Sequence, residues 1–319
     1  MRKYCIRRLV LYIPTLLLAS LMIFAAMRIL PGDVALVILG GAESSPSALA
    51  QVDRLRHELG LDDPIYVQYG HWLLSLVNGQ FGGQSIIDRE PLTSIIARRL
   101  PVTLQLTLYT LILSFLVSIP LGILSAIRQN KWSDYTVRMV AVLGHALPNF
   151  WIALMLILFL LLAFGWTPPI FYANSWQDPW VHIQKMIWPT LVLTWGYSAY
   201  LIRITRSTML EVLRRDYIRT ARSKGLMGRV VVLRHGLPNA LIPVITLGGL
   251  QVATLIGGTV IIETVFSLPG IGQGLVAAAN ERDFPVVQSL TMLLVAIMLT
   301  LNLVVDLLYA KVDPRISYA

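Results

Sequence analysis

The residues with the greatest potential for recognition form a basic, polar stretch between two strongly apolar runs. It begins Asp216-Tyr-Ile-Arg-Thr-Ala-Arg-Ser-Lys-Gly225 and ends on His235-Gly-Leu-Pro238. From Arg203 to Arg234 the chain carries nine Lys or Arg against two acids, Glu211 and Asp216. That charge cannot sit in lipid, and a Lys/Arg excess between two spans marks the cytoplasmic side. Gly225 stops a helical pattern, and Pro238 stands where the next apolar run begins. The spacing predicts a short helix on the inner membrane face, at about 211–225. Tyr217, Thr220 and Ala221 lie along it at three-to-four-residue intervals. Small Thr220 and Ala221 permit close packing into a groove, while Arg219, Lys224 and their basic neighbours can meet carboxylates or lipid phosphates. The chemistry on offer is docking rather than bond-making.

Bond-making chemistry finds no catalytic residues in the sequence. A phosphate-binding loop needs Gly-Lys-Ser/Thr, and no Gly-Lys dipeptide occurs. Any ATP-driven process must therefore draw its energy from another polypeptide. The five histidines show no metal-ligand spacing, and His57-Glu58 lacks the second His of a zinc-protease helix. The single cysteine, Cys5, excludes an internal disulfide and a cysteine metal cluster. No apolar run holds the chain of carboxylates expected of a proton relay, which weighs against an ion-coupled secondary transporter. What the runs do contain is uncharged polarity: Gln105, His145, Asn149, Asn239 and Gln251. His145 and Asn149 form an i,i+4 pair next to Pro148. With Gln251 they are the candidates for lining the pathway of a polar solute; interhelical hydrogen bonding is the alternative role.

The elements that must position these groups are membrane helices. Only 13% of the 319 residues are charged, against about 25% in soluble proteins. The net charge of +9 is placed beside apolar runs, so topology and anionic lipid account for it rather than nucleic acid. A spanning helix needs about 20 mostly apolar residues. Six segments qualify: about 9–29, 102–127, 138–164, 186–205, 239–262 and 286–309. The first follows Arg2, Lys3, Arg7 and Arg8 and reads as an uncleaved signal anchor. With both termini in the cytoplasm, eighteen basic residues face inward and seven outward, Arg28 near the outer edge of the first span counting with neither. The expectation is an all-α, multi-pass integral membrane protein with six transmembrane helices and both termini cytoplasmic.

The outer segments are uneven. Residues 1–30 hold the N-terminal tail and first span, residues 31–100 an external helical lobe, and residues 101–319 a core of five spans. Within the lobe, Pro31-Gly-Asp33 follows the first span, residues 44–47 form a loop, and residues 51–59 have helical spacing. Residues 66–76 read as an amphipathic helix with Tyr69, Leu73 and Val77 on related faces. Residues 78–83 are a turn cluster. Trp166, Trp176, Trp180 and Trp188 gather around another outer segment, as an interfacial belt does. The outer loop 263–285 combines Glu263, at the outer end of the fifth span and suited to bracing the turn or to gating, with a glycine- and proline-rich turn and a helical turn at 275–280.

Several of these segments resemble one family. Arg219-Thr220-Ala221, Gly225 and Leu237-Pro238 stand at the positions of the cytoplasmic motif of ABC-transporter permeases, written E-A-A, three residues, Gly, nine residues, I-x-L-P. The Glu is replaced by Arg219, and His235 stands where the general pattern has Ile. Thr-Ala-Arg-Ser-Lys-Gly and Arg-His-Gly-Leu-Pro-Asn are similar to the dipeptide/oligopeptide/nickel branch. The outer loop resembles the branch signature E-x-V-F-x-x-P-G-I-G followed by R-D-x-P, here Glu263, Phe266, Pro269, Gly270, Gly272, Arg282 and Asp283. Pro31-Gly-Asp33, Asn78-Gly79-x-Phe81-Gly82, Asp306-Leu-Leu-Tyr309 and Asp313-Pro-Arg315 fit the same branch. The resemblance implies a type I ABC importer permease of the bacterial inner membrane, translocating dipeptides or oligopeptides, with nickel, glutathione or oligosaccharides as alternatives. It implies that Asp216, Tyr217, Arg219, Thr220, Ala221, Lys224, Gly225, His235 and Pro238 couple to an ATPase. The outer-loop residues would then act as an external gate. It also implies a second homologous permease, two ATP-binding subunits using ATP and Mg, and an extracytoplasmic solute-binding protein. No cofactor is expected on this chain.

Overall fold

The computed structural model describes residues 2–29, 56 and 62–312. The expected turn at 31–33, the loop at 44–47, the helix at 51–59 apart from Arg56, His57-Glu58 and the segment 313–315 lie outside them. Every long element among the described residues is helical: α1 (Arg2–Ile29), α2 (Ile65–Val77), α3 (Leu92–Ile127), α4 (Trp132–Ala146), α5 (Asn149–Phe164), α6 (Pro179–Leu213), α7 (Asp216–Ser223), α8 (Leu237–Leu250), α9 (Val252–Val265), α10 (Ile271–Glu281) and α11 (Phe284–Val312). Four described helical segments are long and apolar enough to cross a membrane, and five if the bent pair α4–α5 is one span. Helix α6, which covers the expected fourth span, is outside that count. Its apolar residues are diluted by Lys185, Arg203, Arg206 and a run of Ser, Thr and Tyr.

The chain forms two compact units. The first comprises Met1–Ile6, Leu104–Leu268 and Thr300–Ala319. Helix α6 is its centre, burying both faces against α4 and α8. Small residues set these approaches. A Cβ on Gly122 would lie 2.5 Å from the Thr205 side chain, and one on Gly248 would lie 2.9 Å from Leu201. Asp134 ties three segments together. Its carboxylate accepts two hydrogen bonds from Arg206 at 2.8 Å, one from Ser125 Oγ at 2.5 Å and one from the Asn130 amide at 3.0 Å. Its side chain is fully buried, and Arg206 is 19% exposed.

The expected third and fifth spans are both interrupted. Between α4 and α5 the chain bends by 104° at Leu147-Pro148. Proline bars its predecessor from helical geometry, and Leu147 is extended with ψ 133. The second interruption is at Gln251, whose amide bonds to Gly248 O at 3.0 Å and whose ψ is −7, so the turn tightens and α8 gives way to α9. The apolar segment feeding α8 starts earlier than expected, at Gly228. It passes through a π-helical turn, Val231–Gly236. Pro238 has no N–H to continue an α-helical ladder, and a wide turn just before it accommodates that loss.

The second unit comprises Arg7–Thr103 and Pro269–Leu299. The expected amphipathic helix is α2. Its Tyr69 and Trp72 pack on Phe24 of α1 at ring distances of 5.4 and 6.0 Å, and Tyr69 Oη shares a 2.9 Å hydrogen bond with Ser20. The turn cluster that follows places Gly79, Gly82 and Gly83 at positive φ. A tight turn then closes with Ser85 N bonded to Glu90 O and Leu92 N to Gly83 O. Arg98 donates two hydrogen bonds to Glu90. That guanidinium holds the Glu90 carboxyl below the usual carboxylate range. A depressed folded-state value stabilises above the unfolded value, so this contribution is present at neutral pH and lost only in acid.

Removing one member of a buried pair leaves an uncompensated charge. Asp134→Ala is expected to destabilise the purified chain by about 3 kcal/mol, read as a lower unfolding temperature in detergent. An unchanged midpoint would show that Asp134 is not the clamp described.

Candidate functional site

The two helix interruptions meet on one cavity of about 290 Å³ in the first unit. It is lined by Gly144, His145, Pro148 and Asn149 at the first break, Gly196 and Tyr200 of α6, and Gln251 at the second. The structure thus brings all three pathway candidates, His145, Asn149 and Gln251, to one place. Gly196 makes this possible, since a Cβ there would sit 2.5 Å from Asn149 Oδ1. Gly144 does the same for Trp195, whose ring would be 2.6 Å from an added Cβ and whose Nε1 donates to Val140 O at 3.1 Å. Tyr197 Oη donates to Gly248 O at 2.5 Å, serving the carbonyl at the second interruption.

Irregular backbone is tolerated at membrane depth where it is buried in protein or lines a cavity. Here both breaks do so. The walls present an imidazole, two amides and the Tyr200 phenol, together with the start of α5. These groups can donate and accept hydrogen bonds, suiting a polar solute with amide and carboxylate groups. Tyr200, Gly196 and Gly144 carried no functional signal in the sequence. Their spacing on α6 and α4 becomes meaningful only once the bend at Pro148 is known. Gln105 is elsewhere, accepting from Tyr172 at 3.1 Å, and Asn239 donates to Tyr217 Oη at 3.0 Å.

The basic segment forms helix α7, shorter than expected because residues 211–213 complete α6 and Arg214 caps it. Gly225 adopts φ +75 just beyond the helix, the stop that the sequence suggested. Asp216, Tyr217, Arg219, Thr220 and Lys224 are exposed, and His235 is half-buried. Asp216 pairs loosely with Arg219 at 3.5 Å, and Thr220 Oγ1 donates back to Asp216 O. Ala221 differs from the expected common face. It is buried with Ile218 against Val231, on the side turned into the chain. Its small size serves packing beneath the helix, leaving Tyr217 and Thr220 on the outward side. Pro238 sits at the start of α8.

The outer-loop candidates divide between the units. In the first, Glu263 and Phe266 are buried at the end of α9, and Leu268 N bonds to Glu263 O at 2.8 Å. In the second, the Pro269-Gly270 turn leads into α10, which is longer than the expected helical turn. Arg99 Nη1 donates to Gly270 O at 3.1 Å and to Gln273 at 2.6 Å. Ile271 N donates to Thr103 at 2.8 Å. Gly272 is buried, and Arg282 ends α10 in the left-handed region at φ +59. Asp283 is buried and accepts from Ser85 Oγ at 2.5 Å and weakly from the Ile86 amide. The sequence did not single out Arg99, Thr103 or Ser85 as the anchors of this loop. Among the described residues no cluster of His, Cys, Asp or Glu could hold a metal.

Residues 118–318 match the family described as "Binding-protein-dependent transport system inner membrane component", and residues 1–107 match its N-terminal counterpart. The chain belongs to this family, so it is a transport component of the inner membrane and not an enzyme. It is 41% identical to the oligopeptide transport system permease protein AppB of Bacillus subtilis, with all of both chains covered. It is 39% identical to the dipeptide permease DppB of Alkalihalophilus pseudofirmus and 40% identical to the glutathione permease GsiC of Salmonella typhi, again over all of both chains. Among solved structures, an inward-facing MetNI methionine ABC transporter aligns with a TM-score of 0.54 at 18% identity, covering 69% of this chain and 96% of that one. An amino acid ABC transporter aligns at 0.52 and 17%, covering 69% and 94%. At that identity they establish the shared fold of ABC importer permeases.

The cavity geometry depends on missing side chains. Gly144→Ala is expected to cost about 1–3 kcal/mol of stability through overpacking against the Trp195 ring and carbonyl, and Gly196→Ala, which meets the amide end of Asn149, less. Gly257→Ala, where nothing lies within 4 Å of the new Cβ, is expected to leave the unfolding temperature unchanged. Equal midpoints for all three variants in a thermal melt would contradict the packing described.

Proposed function

We propose that this chain is one half of the translocation pathway of an ATP-driven importer of peptides. The observation that carries this reading is the convergence of two helix breaks on a cavity lined by His145, Asn149 and Gln251. A peptide presents amides, an ammonium and a carboxylate, and the cavity offers hydrogen-bond partners for them without a fixed charge of its own. The full-length relatives named for oligopeptide, dipeptide and glutathione transport support the same chemistry. Nickel finds less support, since His145 has no second His or carboxylate among the cavity-lining residues.

In this reading six spans cross the inner membrane, with α6 among them and both termini in the cytoplasm, a topology the basic-residue asymmetry supports. Helix α7 is the coupling helix. Its outward side, Tyr217, Arg219, Thr220 and Lys224, seats in an ATP-binding subunit, while Ile218 and Ala221 fasten it to the spans beneath. Two such subunits hydrolyse ATP with Mg, and a second, homologous permease completes the pathway. The external lobe and the 263–285 loop receive solute from an extracytoplasmic binding protein. This chain moves solute by alternating access and binds no cofactor itself.

Two outcomes follow. Asn149→Leu and Gln251→Leu are expected to reduce peptide uptake by at least about tenfold, with the chain at its normal level in the membrane; normal uptake by both would exclude the cavity as the path. Ala221→Trp, which cannot be housed beneath α7, is expected to abolish solute-stimulated ATP hydrolysis by the assembled importer while leaving membrane insertion intact. Retained stimulation would show that energy enters elsewhere.

A further inference from the structure

Beside α7 lies a larger cavity of about 790 Å³, within the first unit. Its floor is apolar, with Ile127 at the end of α3, Leu213 at the end of α6 and Leu233 in the π-helical turn. Its rim carries Arg214, Arg222 and Arg229. None of these three has a carboxylate partner among the described residues. The two nearby acids are already engaged, Glu211 by Arg215 and Asp216 by Arg219.

The depth of the cavity follows from the spans. Ile127 is the last residue of one apolar span and Gly228 the first of another. Two helices long and apolar enough to cross a membrane therefore end at this cavity, as a site at the headgroup level would require. Ile127 and Leu233 are 53% and 45% exposed, an unfavourable position in water. Three guanidinium groups would be equally misplaced in hydrocarbon. An amphiphile with an anionic head satisfies both demands at once.

We propose that this cavity binds an anionic phospholipid, its phosphate held by Arg214, Arg222 and Arg229 and the first part of its acyl chains lying on Ile127, Leu213 and Leu233. Guanidinium forks match phosphate oxygens in pairs, and basic pockets at span ends attract such headgroups. An acidic protein partner would satisfy the arginines but not the apolar floor. The lipid would be wedged between α7 and the ends of α3 and α6, steadying the angle at which α7 meets a partner. The site does not depend on the solute pathway, so it stands or falls separately.

The test is lipid retention by the full chain purified in detergent, read by native mass spectrometry with phosphatidylglycerol and phosphatidylcholine of identical acyl chains. Wild type is expected to retain phosphatidylglycerol preferentially. A basic side chain near an anionic lipid contributes about fivefold, so Arg214→Gln with Arg229→Gln should reduce retention about 30-fold. The corresponding lysine variant, which keeps the charge, should retain most of it and controls for loss of fold. Arg98→Gln, remote in sequence and paired with Glu90, should change nothing. Equal retention of the two lipids, indifference to the glutamine variants, or displacement by millimolar inorganic phosphate would each overturn the proposal, the last by showing a site for free phosphate.

Discussion

An unsatisfied backbone N–H or C=O in hydrocarbon costs several kcal/mol, so a membrane helix can break only where protein or a water-filled cavity covers the break. That constraint organises the first unit. Pro148 removes a donor and forces Leu147 out of helical geometry, producing a 104° bend. Gln251 ends a second helix. Each break must be covered, and α6 covers both. Tyr197 donates to the carbonyl of Gly248, Trp195 to that of Val140, and Gly196 admits Asn149 against the helix itself. The polar cavity is what remains where the two interruptions face one another. Of its lining residues Tyr197 serves the carbonyl of Gly248, while His145, Asn149, Tyr200 and Gln251 add polar side chains at the same place.

Rigidity around that cavity comes from glycine contacts and from buried ionic ties. Asp134 joins the end of α3, the following turn and α6 through four hydrogen bonds. The approach of α6 to α3 at Gly122 leaves no room for a Cβ, and that to α8 at Gly248 is tight against Leu201 and Phe115. Movement imposed on α6 would thus be passed to its neighbours rather than absorbed. Helix α7 follows α6 after only two residues, and Ile218 and Ala221 pin it to Val231 of the π-helical turn that feeds α8. A force applied to α7 therefore reaches α6 along the chain and α8 through packing. In the second unit, Arg99, Thr103 and Ser85 hold the outer loop by its backbone and by Asp283, so that loop is built as a braced element.

The apolar runs made most of the helices legible, because a span announces itself by length and composition. The short α7 was legible from Gly225, and α2 from its periodicity. The interruptions were less so. Pro148 and Gln251 were visible as residues, yet prolines and polar groups are tolerated inside spans, so periodicity alone could not show a bend. His145, Asn149 and Gln251 stand out in the sequence by polarity; that they share a cavity depends on the bend and on Gly196. Three-to-four spacing groups Ala221 with Tyr217 and Thr220 and cannot tell which side of an isolated turn is covered. Arg99 and Arg206 could not be matched to their partners, since contacts across 171 and 72 residues leave no local pattern.

As the proposed solute path, the cavity between the two breaks would open alternately to the two sides of the membrane. Cys5 is the only cysteine, so Cys5→Ser with Gln251→Cys reports this position alone. The decisive measurement is its labelling by a membrane-impermeant thiol reagent added to one side or the other of vesicles holding the assembled importer, at rest and trapped with vanadate. Labelling is expected from one side at rest, from the opposite side when trapped, and more slowly with peptide present. A thiol that stays unreactive from both sides in both states, or reacts identically throughout, would contradict it.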